Sequence, residues 1–356
     1  MSKKIRIALI GCGGMGNHHL IGYTGENAGK FEIAALCDIE KNKAETAKSH
    51  YGLDCDIYED YNDVLKQADI DAVDIATPNY LHSVIAIAAL NAGKHVFCEK
   101  PDCITVEQAM AMKEASEKAG KVLMVMRNNR YYEGSKFLKG YINDGGMGEI
   151  YAGRCGWQRR RGIPGKGGWF TTKAQSGGGP LIDLGVHMID LSIWLMGNPT
   201  PVAVSGCTYM KFANDKSQSD SINSTFGVAK EDGTFDVEDL AMGFIKFDNG
   251  ACLQIEFSWA SNIDEEKRYV ELRGTKAGCS WVNGNDVTIY GESGGRLFDT
   301  APKIHDADGH ARNIAHFADV VNGEAKPDFV PQQGVNMIKI LNAIYESAQT
   351  GREVRL

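Results

Sequence analysis

The sequence predicts an α/β fold in two domains, a doubly wound parallel sheet over residues 1–127 and an α+β domain over residues 128–356. Residues 1–127 alternate short apolar runs with helical patterns, which is typical of parallel strands joined by crossover helices. After residue 128, long strand-like runs follow one another with turn signals between them. Consecutive strands joined by hairpins indicate a mostly antiparallel sheet.

The elements of the first domain follow from its apolar runs and their helical connections. Five buried strands are expected from runs bounded by turn residues, at Ile5–Ile10, Ile33–Cys37, Ala72–Ala76, His95–Cys98 and Val122–Met126. Helical periodicity predicts the connecting helices, at Met15–Tyr23, Lys41–His50, Tyr80–Ala92 and Val106–Ala119.

The second domain combines three helical patterns with strands. The helices are expected at Glu133–Ile142, Pro180–Met196 and Val335–Gln349, the last ending at Gly351. Strand-like runs are "EIYAGRCGW", "VAVSGCTYMKF", "LAMGFIKFDNGACLQIEFSW", "RYVELRGTKAGCSWV" and "DVTIYGE". In "FDNG", Asn249 and Gly250 suit the positive φ angles of a hairpin turn. The polar residues 213–236 predict a long exposed loop.

The composition excludes several classes of protein. The 356 residues are 43% hydrophobic and 24% charged with a net charge of −8, which is typical of a globular protein and not of one that binds nucleic acid. Because no apolar run reaches membrane-spanning length, no membrane association is expected. The nine scattered cysteines contain no C-x-x-C pair, so we expect reduced thiols, a cytoplasmic protein and no cysteine-bound zinc.

A glycine-rich turn follows the first strand in "IRIALIGCGGMG". Gly11, Gly13 and Gly16 form the G-x-G-x-x-G pattern of a Rossmann domain, where backbone N–H groups approach a dinucleotide pyrophosphate. Asp38 ends the second strand, where a carboxylate would bind the ribose hydroxyls of NAD and repel the 2′-phosphate of NADP. The sequence therefore favours NAD over NADP, although Asp38 could instead cap the following helix.

Two further strand ends carry polar residues. Thr77, Pro78 and Asn79 follow one strand and Glu99, Lys100 and Pro101 the next. Ligands of open α/β sheets bind beyond the carboxyl ends of the strands, so Lys100 is a candidate for the site. A cis bond before Pro101 would fix the direction of this lysine. The alternative is a solvated lysine in a turn.

An almost entirely apolar helix, "GGGPLIDLGVHMIDLSIWLMG", carries ionisable residues at i, i+4 and i+7: Asp183, His187 and Asp190. Burying such groups is costly unless each has a partner or a task. Asp183 and His187 predict either a buried structural pair, a metal site without a nominated third ligand, or acid–base chemistry. We expect Asp190 to be structural. The glycines before Pro180 would start the helix and let another group, such as a nicotinamide ring, approach closely.

The whole chain resembles the Gfo/Idh/MocA family of the glucose–fructose oxidoreductase and inositol dehydrogenase type. The resemblance rests on "GCGGMG", "ATPNYLH", "CEKP", "GGGPLIDLGVH" and the ending "AIYESAQTGREVRL". It implies Lys100, Asp183 and His187 as catalytic residues, and an open-faced C-terminal sheet that pairs subunits into homodimers or homotetramers. The expected cofactor contacts are Gly11, Gly13, Gly14, Met15, Gly16, Asp38, Thr77, Pro78, Asn79, His82, Glu99, Lys100 and Asn128. Asn129 departs from the "NRRF" that the family often has there.

The expected reaction is oxidation of a secondary alcohol of a sugar, glycoside or cyclitol by NAD. His187 would be the base, oriented by Asp183, while Lys100 would stabilise the alkoxide. The loop "RRRGIPGKGGWF" resembles that of members that act on glucosides or anhydrosugars, which suggests oxidation at carbon 3. Candidate substrate residues besides the catalytic three are Trp157, Arg159, Arg161 and Trp169, with Phe170 beside them. His316 is either a substrate contact or an ordinary helix residue.

Two other functions remain open from the sequence. One is NAD-dependent glycoside cleavage through oxidation, elimination and re-addition. The other is a non-catalytic sensor of NAD or sugar, which the retained Lys100, Asp183 and His187 disfavour.

Overall fold

A computed structural model describes residues 3–213, 226–305 and 307–356 of the chain. The chain forms two compact units. The first comprises Met1–Asn128 and Gly309–Ile338, and the second comprises Asn129–Asp308 and Lys339–Leu356. The first break lies beside the boundary expected at residue 127, whereas Gly309–Ile338 cluster with the N-terminal unit instead of the C-terminal one.

The first unit contains a six-stranded parallel sheet with the order β3-β2-β1-β4-β5-β6. Its strands are β1 Ile5–Ile10, β2 Phe31–Cys37, β3 Asp56–Tyr58, β4 Ala72–Ile75, β5 His95–Cys98 and β6 Leu123–Val125. The helices between them are α1 Gly14–Thr24, α2 Lys41–Tyr51, α3 Tyr61–Leu65, α4 His82–Asn91 and α5 Val106–Ala119. The doubly wound parallel sheet is thereby confirmed. Strand β3 and helix α3 were not predicted, because they are short and only partly buried.

Helix α9, Gly309–Val321, belongs to the first unit because its apolar face packs there. The Phe317 ring lies 5.1 Å from the ring of Phe97 on β5. The amide of Asn27 donates to the carbonyl of Ala311 over 2.8 Å. A late segment of the chain thus completes the core of the N-terminal unit, which no local pattern could indicate.

The second unit contains a nine-stranded sheet with the order β14-β13-β12-β11-β7-β10-β9-β8-β15. The β7–β10 pair is parallel and the other pairs are antiparallel, which confirms the mostly antiparallel sheet. Its strands are β7 Ile150–Gln158, β8 Pro201–Tyr209, β9 Leu240–Phe247, β10 Cys252–Ser258, β11 Lys267–Gly274, β12 Gly278–Val282, β13 Asp286–Ser293, β14 Arg296–Thr300 and β15 Val354–Arg355. Its helices include α6 Glu133–Asn143, the short α7 Lys173–Ser176 and α8 Val186–Leu195, while α10, Pro331–Thr350, begins in the first unit and continues into the second.

The hairpin predicted at "FDNG" joins β9 to β10. Gly250 takes the positive φ, 84°, while Asn249 acts through its side chain, whose oxygen accepts from the N–H of Ala251 over 3.0 Å. The expectation of a positive φ at Asn249 is therefore corrected. Of the loop expected at 213–236, residues 214–225 lie outside the described residues, and residues 226–236 form turns without a helix or strand. Within the described ranges, no helix is both long and apolar enough to cross a membrane.

Candidate active site

The glycine-rich turn between β1 and α1 has the shape that a bound dinucleotide requires. Gly11 has a φ of 101°, and a side chain on Gly16 would lie 1.9 Å from the carbonyl oxygen of Gly11. These two glycines therefore let the turn and helix pack closely on the strand. Open space surrounds Gly13 and Gly14, and no side chain caps α1. The first backbone N–H groups of the helix, including that of Met15, are thus available to a phosphate.

Asp38 lies directly against this turn. One carboxylate oxygen accepts from the N–H of Cys12 over 2.9 Å, and the other accepts from the N–H of Glu40 over 2.9 Å. Glu40 is the residue before helix α2, and that helix has no side-chain cap. Asp38 therefore joins the end of β2 to the glycine-rich turn and does not cap the helix.

The loops after β4 and β5 are held together by His82. Its ring nitrogens lie 2.7 Å from the carbonyl oxygen of Pro101 and 2.9 Å from that of Thr77. Burial lowers the pKa of His82, although the two carbonyl oxygens oppose this. The Lys100–Pro101 peptide bond is cis.

The same edge of the first unit fits a dinucleotide. The hydroxyl of Thr77 is buried and has no hydrogen-bond partner among the described residues. A buried polar group of this kind needs a partner, and a ligand can supply it. Together with the uncapped start of α1 and the carboxylate of Asp38, Thr77 suits the phosphate and ribose groups of NAD.

Beneath Lys100 lies a buried network that the sequence analysis did not predict. His19 of α1 contacts Asp74 through Nδ1, over 2.7 Å, and Glu99 through Nε2, over 2.8 Å. Tyr23 donates to the same Asp74 oxygen over 2.8 Å. The other oxygen of Glu99 accepts from the backbone N–H of Lys100 over 3.0 Å. Glu99 therefore connects the network to the backbone of Lys100.

The two carboxylates decide the charge of His19. Burial opposes the imidazolium, but Asp74 and Glu99 outweigh burial and raise the pKa of His19 to about 10. Burial likewise favours the neutral form of Glu99, but hydrogen bonding to His19 lowers its pKa well below the usual value. A charged imidazolium between carboxylates is thus the stable form in the core.

In the second unit, the helix that carries Asp183, His187 and Asp190, here called the polar helix, begins with a wide π-helical turn, Leu181–Gly185. It continues as α8. Asp183 lies in the turn, whereas His187 and Asp190 lie in the α-helix. The regular α-helical spacing that would place Asp183 and His187 on one face of the helix is therefore interrupted between them.

Different side chains hold these three residues. The indole Nε1 of Trp259 donates to Asp183 over 3.0 Å, and the amide nitrogen of Asn129 lies 3.0 Å from His187 Nδ1. Arg130 donates twice to Asp190, over 2.7 and 2.6 Å, and both are buried. The structural interpretation of Asp190 is confirmed.

The glycines before this helix make room for protein groups. A side chain on Gly178 would lie 2.0 Å from the hydroxyl of Tyr345, and one on Gly179 would lie 2.0 Å from the carbonyl oxygen of Glu238. Gly178 and Gly179 therefore let Tyr345 and Glu238 approach the backbone closely, and the approach of a nicotinamide ring to these glycines stays a prediction. The carbonyl of Gly179 accepts from the N–H of Asp183 over 3.0 Å, so this glycine does start the helix.

One of the predicted substrate residues, Trp157, lies beside His187, and a second, Arg159, lies against Trp157. The Trp157 ring lies 5.9 Å from the His187 ring, and the guanidinium of Arg159 lies 5.1 Å from the Trp157 ring. Arg161 instead donates to the carbonyl oxygen of Ser261 over 3.0 Å and so fixes its own loop.

The other candidates form separate contacts. The rings of Trp169 and Phe170 stack with centroids 3.8 Å apart. His316 lies in the first unit, where its Nε2 accepts from the N–H of Asp328 over 3.1 Å. This contact favours the interpretation of His316 as an ordinary helix residue.

Comparison with known proteins decides the family. Residues 5–127 match the oxidoreductase family with an NAD-binding Rossmann fold, and residues 136–295 match the GFO/IDH/MocA C-terminal domain. D-glucoside 3-dehydrogenase of Escherichia coli (strain K12) is 34% identical, with 100% of this chain and 98% of that protein covered. The chain belongs to the Gfo/Idh/MocA family.

Other members of the family are similar over most of the chain. Levoglucosan dehydrogenase of Pseudarthrobacter phenanthrenivorans is 31% identical, with 77% of this chain and 72% of that protein covered. A structure of levoglucosan dehydrogenase in complex with NADH and levoglucosan has a TM-score of 0.86 at 24% identity, with 99% of each chain covered. The predicted oxidoreductase with an NAD-binding Rossmann domain is therefore confirmed.

The positions that sequence reasoning missed are mostly supporting residues. Asn129 was noted only as a departure from the family pattern, and Trp259, Glu238 and His19 were not singled out. His19 lies three residues after Gly16, on the helix that the glycine-rich turn opens. Trp259 and Glu238 are distant from Asp183 in sequence, so no spacing could indicate their contacts.

Proposed function

We propose that this protein oxidises a secondary alcohol of a sugar, glycoside or cyclitol, with NAD as the hydride acceptor. The observation that carries the proposal is the pair of ionisable residues at the start of an otherwise apolar helix. There, Asp183 and His187 are partly accessible and are each held by a hydrogen-bonding side chain. A dehydrogenase needs such a base beside the substrate hydroxyl.

In this proposal His187 removes the hydroxyl proton while Asp183 stabilises the imidazolium that forms. Asn129 suits either protonation state at Nδ1 of His187, since an amide nitrogen donates and an amide oxygen accepts. Lys100 holds the developing alkoxide through a charge-assisted hydrogen bond. NAD, when bound, supplies the hydride chemistry.

The NAD contacts that we propose follow the glycine-rich turn and the strand ends of the first unit. The turn would bind the pyrophosphate, and Asp38 would bind the adenosine ribose and disfavour NADP. The phosphate contacts would come from the backbone of Gly11, Gly13, Gly14, Met15 and Gly16. Further contacts would come from Thr77, Pro78, Asn79, His82, Glu99, Lys100 and Asn128.

The substrate that we propose is a glucoside or anhydrosugar oxidised at carbon 3. The full-length similarity to D-glucoside 3-dehydrogenase supports this class. Trp157 lies beside His187 and offers an aromatic face of the kind that packs against sugar C–H groups, and Arg159 offers donors to hydroxyls. Arg161 and Trp169 would complete the lining of the substrate site.

We also propose that two subunits pair through the sheet of the second unit. Register places Phe244 of β9 and Tyr290 of β13 on one face of the sheet, and they are 40% and 45% exposed. Exposed apolar residues on a sheet favour association. Light scattering after gel filtration should show a dimer or tetramer. Phe244→Glu should dissociate it, whereas Phe137→Glu, on α6, should not; an unchanged assembly in Phe244→Glu would contradict this interface.

The substrate proposal is tested by mixing the protein and NAD with a panel of glycosides, anhydrosugars, aldoses and cyclitols. We expect NADH to appear with glycosides or anhydrosugars, and NMR of the product to show a carbonyl at carbon 3. Release of free sugar without net NADH would indicate the glycoside-cleaving alternative. NAD binding without any turnover across the panel would favour the sensor.

A further inference from the structure

A buried segment of the second unit, Val237–Asp239, holds the start of the polar helix. Glu238 accepts from the N–H of Gly179 over 3.0 Å and from the N–H of Leu181 over 3.1 Å. The hydroxyl of Tyr345 donates to the same carboxylate over 2.9 Å. Glu238 is only 7% exposed, so all of these bonds are made in the core.

This arrangement replaces an ordinary helix cap. The first N–H groups of a helix have no partner within it, and Pro180 has no N–H to satisfy. The cap residue of the turn, Pro180, makes no side-chain cap hydrogen bond. Glu238 supplies the missing acceptors from a distant part of the chain, where a carboxylate also complements the positive end of the helix.

The segment Val237–Asp239 is also connected to the side chain of Asp183, through Trp259. The carbonyl oxygen of Asp239 accepts from the backbone N–H of Trp259 over 2.9 Å. Trp259 is fully buried, and its indole donates to Asp183 over 3.0 Å. The direction of the Asp183 carboxylate is therefore fixed through its backbone, by Glu238, and through its side chain, by Trp259.

We propose that Glu238 and Trp259 are positioning residues that hold Asp183 and His187 in their reactive arrangement. This inference rests on the proposed function, because it assigns the reaction to these two residues. Neither positioning residue needs to touch the substrate. Glu238 sets where the π-helical turn begins, and Trp259 restricts the rotation of the Asp183 side chain.

The substitution Trp259→Phe tests the indole contact. It removes one N–H donor to a carboxylate while retaining an aromatic ring in the core. We expect kcat to fall roughly ten- to a hundredfold, with little change in KM or NAD affinity. Trp281→Phe is the matched control, because Trp281 is fully buried in the same unit and its indole nitrogen has no partner among the described residues.

Glu238 is tested by Glu238→Gln and Tyr345→Phe. Glutamine leaves an N–H donor facing one of the backbone N–H groups, and Tyr345→Phe removes only the hydroxyl that bonds to Glu238. We expect both variants to lose kcat at unchanged NAD affinity. Tyr345→Phe gives the answer if Glu238→Gln fails to fold.

The results separate this inference from the proposed function. Normal activity in Trp259→Phe, or a loss no larger than that of Trp281→Phe, would overturn the role of Trp259. Normal kcat in a folded Glu238→Gln, or in Tyr345→Phe where Glu238→Gln does not fold, would overturn the role of Glu238. If either of these results were found and His187→Ala were inactive, the proposed reaction would be retained and only the corresponding positioning role would be rejected.

Discussion

His19 Nε2 lies 2.8 Å from Glu99 Oε1, and both side chains are buried beneath the loop that carries Lys100. Asp74 holds the other ring nitrogen over 2.7 Å. A charge in the core is stable only when its partners remain in place. The position of the Lys100 backbone, which donates to Glu99, thus depends on a buried charge cluster that joins α1, β4 and the residue directly after β5.

We expect His19→Gln to lower the free energy of unfolding by about 3–5 kcal/mol near pH 6, because it leaves two carboxylates buried without their cation. The folded pKa of His19 is raised to about 10 from 6.5. Its contribution is therefore complete below about pH 6.5 and is lost as the pH rises through about 10. Urea titrations between these values should show the difference between the wild type and His19→Gln decreasing with pH.

The control for this measurement is His50→Gln, because His50 is exposed at the end of α2. It should change stability little at any pH. A deficit in His19→Gln that is independent of pH would contradict the charged form of His19.

We expect His187→Ala to lower kcat roughly a hundred- to ten-thousandfold, because the base is removed from the hydroxyl. NAD affinity, measured by calorimetry, should be nearly unchanged. His305→Ala, at an exposed position of the same unit, should retain full activity. Near-normal kcat in His187→Ala would rule out this histidine as the base.

We expect Lys100→Met to lower kcat roughly a hundred- to a thousandfold, because the alkoxide loses its cationic donor. The backbone N–H that donates to Glu99 is retained in this variant, so the buried network and the unfolding midpoint should change little. Stopped-flow measurement of NADH formation would separate the chemical step from product release. A normal rate of hydride transfer would contradict the proposed role.

We expect Asp38→Asn to raise the preference for NADP over NAD by roughly tenfold or more, because the charge that repels a 2′-phosphate is removed. Asparagine still offers an oxygen to the N–H of Cys12, so the glycine-rich turn should keep its shape. The measurement is kcat/KM with each cofactor. An unchanged ratio would show that another group selects the cofactor.

Much of the fold could be predicted locally. Strand β1 and helix α5 have the bounds that their patterns indicated, because a continuous apolar run and a capping box are encoded by neighbouring residues. Strand β3 was missed because three partly exposed residues carry little apolar signal. The interruption between Asp183 and His187 was also missed, since a π-helical turn changes spacing without changing composition.

The sequence by itself determined the family, the glycine-rich turn and the candidates Lys100, Asp183 and His187, because each is marked by a short motif. Only the tertiary structure decided what holds them: His19 and Glu99 below Lys100, Asn129 at His187, and Trp259 with Glu238 around Asp183. It also decided that α9 completes the core of the first unit. Such contacts join residues that are far apart in the chain, and hydrogen bonding and burial between them arise only when distant segments pack together.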